Sequence, residues 1–166
     1  MRSQKSITLV PGRVEVHDLS DTREAAQSDL PLTMSEVLSA LEVSEANAVG
    51  TNYQLVLELP EDTTAARAVT DRLLRSPNGI TPPGTGLQGG SVNLFLKQPN
   101  GLRITVQMEP RLNDPDTRSL WAACNCHASV AEVPTVDDLS RLFSRGYEVL
   151  THVLQSAFGT RRGRAR

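Results

Sequence analysis

Cys124, Asn125, Cys126 and His127 form the one cluster of soft metal ligands in the chain. Two thiolates spaced i, i+2 could chelate zinc, but a structural zinc site needs four ligands. The spacing also works against convergence. In a regular strand Cys124 and Cys126 share one face while His127 takes the other. Both cysteines fall in register with Leu120, Ala122, Ala128 and Val130, on the apolar side of the same segment. Free cysteine there behaves as a small hydrophobe. A disulfide between them is disfavoured, because strand residues i and i+2 lie about 6.6 Å apart, at the end of the range a disulfide spans. The pair is read as core, with metal or redox chemistry as the alternative. No metal or cofactor is expected.

Gly84-Thr85-Gly86-Leu87-Gln88-Gly89 matches the G-x-G-x-x-G spacing of dinucleotide sites. That chemistry needs a strand before the glycines and a helix N-terminus after them, so that backbone amides face the pyrophosphate. Pro82-Pro83 precede this run and an apolar strand pattern follows it. The context is wrong, and the segment reads as a flexible loop. Ser76 to Gly90 as a whole is Pro/Gly-rich and long for a compact domain, which makes it a candidate flap. G-x-S-x-G, H-E-x-x-H and the P-loop are absent. Acid pairs such as Glu61-Asp62 and Asp137-Asp138 fall at predicted turns or helix starts, where capping accounts for them.

A different pattern is more informative. Val92, Leu94 and Leu96 alternate with Asn93, Phe95 and Lys97, and Leu102 to Met108 alternate with Arg103 to Glu109. Pro99-Asn100-Gly101 supplies the turn between them. Leu120 to Val130 makes a third strand, after a turn at Asn113 to Asp116. The result is a meander with one apolar face. Phe95, Arg103, Trp121 and His127 project from the other face, among Thr105, Gln107 and Asn125. Aromatics with arginine are enriched at interfaces. These four residues are the candidate interaction surface. The competing expectation is that another part of the chain covers them.

The remaining elements must frame that sheet. Ile7 to His17 reads as a hairpin turned at Pro11-Gly12, a type II pattern. Thr33-Met34-Ser35-Glu36 fits a capping box opening a short helix. Asn52 to Leu59 alternates as a half-buried strand with Tyr53, Leu55, Leu57 and Leu59 inward. A second helix is predicted from about Thr63 to Arg75, with Ala66, Val69 and Leu73 buried. The last helix is predicted from Val136 to about Phe158, capped by Thr135 and Asp138 and stopped by Gly159. Its stripe is Leu139, Leu142, Phe143, Gly146, Val149, Leu150, Val153, Leu154 and Phe158. A glycine on such a stripe implies close approach to the sheet. The fold class is α+β: an antiparallel sheet of about five to six strands, helices on one face, and a long C-terminal amphipathic helix.

Length and charge bound the function. The chain has 166 residues and a formal net charge of −2, which suits one domain, expected over 1–159, and does not suit a dedicated nucleic-acid binder. Charge is unevenly placed. Eight acids against one base lie between Glu15 and Glu45, whereas Arg161, Arg162, Arg164 and Arg166 crowd the last six residues. Residues 160–166 read as a basic, disordered tail, the one place where nucleic acid would be contacted. No apolar stretch reaches transmembrane length and no signal peptide is evident. With two cysteines in one strand, a reducing, cytoplasmic location is expected.

In size, acid-rich start and sheet-then-helix order the chain resembles small dimeric secretion chaperones in outline, and small viral or phage assembly proteins look similar. No motif carries either resemblance, so no site residue is transferred. The leading expectation is a non-catalytic interaction or assembly protein, acting as a homo-oligomer or a subunit of a larger complex. The alternative is an enzyme or small-ligand binder with its pocket under the Ser76–Gly90 loop.

Overall fold

The computed structural model describes residues 5–18, 28–73, 89–111 and 118–159. The chain runs through β1 (Lys5–Val10), β2 (Arg13–Asp18), α1 (Leu30–Ala40), β3 (Ala48–Glu58), α2 (Ala65–Leu73), β4 (Val92–Lys97), β5 (Arg103–Pro110), β6 (Ser119–Ser129) and α3 (Val136–Phe158). This is an α+β fold with the order of elements read from the sequence. The six strands do not form one sheet. They divide into a four-stranded antiparallel sheet, ordered β3-β6-β5-β4, and a separate β1-β2 hairpin.

Alternation explains the sheet. Ile104, Val106 and Met108 of β5 and Leu120, Ala122, Cys124 and Cys126 of β6 are all buried on one side. Leu57 of β3 joins them, and Leu59 follows just beyond that strand. The helix layer closes on this face: α3 packs on β3 and β6, and α2 packs on β5. Burying a leucine-sized side chain contributes about 1.5–3 kcal/mol, so this continuous apolar layer dominates the stability. The hairpin stays outside it, since β2 packs on α1 and α1 leans on α3. Lys5 ties the hairpin to α1 through an ion pair with Asp29 at 2.6 Å and a hydrogen bond donated to Thr33 Oγ1 at 2.9 Å.

The long helix follows its sequence signals closely. Thr135 Oγ1 accepts from the Asp138 amide, and the Asp138 carboxylate accepts in return from the Thr135 amide, a complete capping box. Gly159 ends the helix at φ +66°, a left-handed conformation that glycine adopts without a Cβ clash. Leu139, Leu142, Gly146, Leu150, Leu154 and Phe158 are buried along one stripe.

Two local expectations are corrected. The first helix does not open at Thr33. It begins three residues earlier at Leu30 with Pro31 in its first turn, and the Thr33 amide donates to the Asp29 carbonyl inside the helix. Proline is well placed there because the first amides have no intrahelical partner. The buried stripe of α2 is Ala65, Ala68 and Val69, with Leu73 half-buried; Ala66 sits only at its margin. The helix is set by Thr64, whose hydroxyl accepts from the Arg67 amide at 3.2 Å. Most of the glycine-rich loop (residues 76–88), the turn at 113–116 and the tail at 160–166 lie outside the described residues. No described helix is long and apolar enough to cross a membrane.

Candidate functional site: the open face of the sheet

Helices α2 and α3 occupy one side of the four-stranded sheet, and the side chains of the other side form ordered rows across it. The strand registers give these rows directly. Gly50, His127, Arg103 and Lys97 make the first; Asn52, Asn125, Thr105 and Phe95 the second; Gln54, Ala123, Gln107 and Asn93 the third. Val56, Trp121 and Glu109 make the fourth.

All four predicted surface residues lie on this face, but they do not form one cluster. Arg103 stands directly opposite His127, with Lys97 on its other flank. Phe95 is one row away on the edge strand and is 80% exposed. Trp121 is half-buried between Val56 and Glu109, three rows from His127 on the same strand. Alternate residues rise about 6.6 Å along a strand, so Trp121 and His127 stand roughly 20 Å apart. The face therefore has two ends: a cationic one carrying Lys97 and Arg103 beside His127, and an aromatic one at Trp121. Between them the surface is amide- and hydroxyl-rich. Asn125 donates to Asn52 across β6 and β3, and Gln107 donates to Glu109 along β5 at 3.3 Å.

Lys97 belongs to the basic row and was not among the predicted surface residues. Its alternation with Leu96 was visible, but its place beside Arg103 depended on the β4-β5 register. Asn52, Gln54 and Val56 were also missed. They reach this face because β3 pairs with β6 across sixty residues of intervening chain, and no local pattern encodes that pairing.

The cysteines lie on the opposite side, as core residues. Cys124 and Cys126 are free and buried, with their Sγ atoms 3.8 Å apart, and Cys124 also donates to the Gly146 carbonyl at 3.6 Å. The Cys124 thiol is pushed above the ordinary thiol range by its hydrogen bond to Cys126 and by burial. That favours an inert thiol over a nucleophile. His127 faces away from both sulfurs, and no group of three or more metal-ligating side chains converges among the described residues. Tyr53 covers the pair from β3. Its hydroxyl donates to the Phe143 carbonyl, its ring lies 5.0 Å from that of Phe143, and burial pushes its phenol upward.

Two shallow depressions lie near the start of α3. One, of about 410 Å³, is lined by Ser35, Leu38, Glu42, Val43 and Pro134 among others; the second, of about 440 Å³, by Val49, Ala128, Val130, Asp138 and Leu142 among others. Ser39 and Ser44 also line the first, and in the second Thr135 and Asp138 bond to each other as the cap of α3. The expected pocket under the glycine-rich loop lies largely outside the described residues, as do Arg161, Arg162, Arg164 and Arg166. No protein-family model, curated protein or solved structure matches the chain.

Proposed function

We propose that the protein is a non-catalytic interaction or assembly protein, working as a homo-oligomer or as a subunit of a larger complex, with the open face of its sheet as the recognition surface. One observation carries this reading: Phe95 stands 80% exposed on a face that also carries Trp121 and Arg103, while α2 and α3 pack on the other side. A face built only for water seldom spends a phenylalanine and a tryptophan on it. Phenylalanine, tryptophan and arginine are the residue types enriched at protein interfaces. Chaperone-like and structural roles both fall within this class.

Sedimentation velocity on the wild type and on Phe95→Glu, at low and high micromolar protein, tests it. The wild type is expected to gain mass with concentration, and the variant to stay near the 18.0 kDa monomer. A wild type that remains monomeric throughout and carries a small molecule through gel filtration would overturn the reading in favour of a ligand-binding protein.

A further inference from the structure

The sheet has two edges, and they differ. Along β3 the outer side chains include Asn52, Gln54 and Glu58, all exposed and polar, while the inner side is covered by α3. Along β4 the run Leu94-Phe95-Leu96 puts apolar groups on both faces. Phe95 is 80% and Leu96 39% exposed, and the one described element packed substantially against β4 is β5. A strand apolar on both faces is the pattern of an interior strand. Here it occupies an edge, with no proline or bulge and with Lys97 at its end as the one charge to blunt it.

The hydrogen-bond phase of this edge follows from its hairpin. The Gln98 amide donates to the Leu102 carbonyl at 2.9 Å. Antiparallel pairs alternate between bonded and non-bonded, so Leu96 and Leu94 bond inward to β5, at Ile104 and Val106. The amides and carbonyls of Asn93, Phe95 and Lys97 then point outward from the sheet.

We infer that β4 pairs with β4 of a second copy of this chain, antiparallel about a twofold axis at Phe95, joining two four-stranded sheets into one. This inference rests on the interaction reading above and names its partner. The edge is self-complementary in this register. Phe95 meets Phe95 of the copy on the open face, and Leu94 meets Leu96 on the helix face. Asn93 stands opposite Lys97, so the one charge on the strand never faces its own twin. The three outward-pointing residues bond as a closed symmetric set, the isologous contact expected of a twofold dimer. Main-chain bonds along the edge supply affinity, and the alternate side chains fix the register.

Engineered cysteines test the register. Asn93 and Lys97 of opposite copies would form bonded pairs about 5.5 Å apart between Cα atoms, within disulfide reach. Within one chain, or between identical positions of two copies, these sites lie about 13 Å apart, out of reach. The Asn93→Cys/Lys97→Cys double variant should oxidise to a covalent dimer on a non-reducing gel, and each single variant and the wild type should not. The native cysteines are buried and contribute no background. Phe95→Ala, which removes the ring from both copies, should weaken the dimer of the otherwise native chain by about a hundredfold or more. A wild type that dimerises while the double variant fails to cross-link, or while a single variant does cross-link, overturns the edge pairing and leaves the open-face reading standing. A wild type at monomer mass throughout, with a foreign peptide or no partner on this edge, also overturns it.

Discussion

Gly146 offers the sharpest test of how α3 is seated. A Cβ added there would lie 2.8 Å from Cys126 Sγ, 2.8 Å from Tyr53 Cε2 and 3.3 Å from Thr51 Oγ1. The first two separations are well inside contact distance, and neither atom moves freely. The sulfur sits on a short side chain within a buried central strand. The Tyr53 ring is held by its hydroxyl on the Phe143 carbonyl and by the flanking rings of Phe143 and Tyr147. Gly146→Ala gains about 1 kcal/mol of helix propensity. Overpacking a filled core costs about 1–3 kcal/mol, and two rigid obstructions place this site toward the upper end. The net expectation is a loss of about 1–2 kcal/mol, or roughly 2–8 °C in Tm for a chain of this size. Urea unfolding followed by far-ultraviolet circular dichroism measures it. Adding Cys126→Ala removes one obstruction, so the double variant should lose less than the sum of the singles. A Gly146→Ala protein as stable as the wild type, or more stable, would refute the close seating of α3 on β6 and β3.

Other outcomes follow from the same structure. Leu150→Ala should cost about 2–5 kcal/mol, because Leu150 is fully buried between helix and sheet; calorimetry measures the change. Thr135→Ala should cost about 1 kcal/mol by removing the cap of α3. The Asp138 carboxyl is held below its ordinary range by hydrogen bonds from the Thr135 side chain and amide and from Arg141. Its contribution is therefore present above the ordinary carboxylate pKa and lost as pH falls through the folded value. Asp138→Asn should lower stability at neutral pH, and the difference from wild type should vanish at strongly acidic pH. Thiol titration should find both cysteines unreactive in the native protein at mildly alkaline pH and reactive in urea; prompt native labelling would contradict their burial.

What the linear order of residues determined is local. Alternation marked β4, β5 and β6 and sorted their side chains to two faces, because the strand repeat is two and needs no knowledge of neighbours. Thr135, Asp138 and Gly159 bounded α3 because caps act within a single turn. The same logic placed Cys124 and Cys126 in the core and Phe95, Arg103, Trp121 and His127 on the opposite side. It failed at α1, where a plausible cap at Thr33 competed with Pro31, and the proline at the helix start prevailed. The turns also paired β4 with β5 and β5 with β6, whereas tertiary structure alone decided where β3 and the first hairpin would lie. Pairing of β3 with β6 closes a loop longer than any local signal spans, and it brought Asn52, Gln54 and Val56 to the open face. Register then set Lys97 beside Arg103 and Arg103 opposite His127. Packing also detached the first hairpin, which found its apolar partner in α1 and not at a sheet edge. These choices depend on which apolar surfaces can be buried together, a property of the assembled chain and not of any one segment.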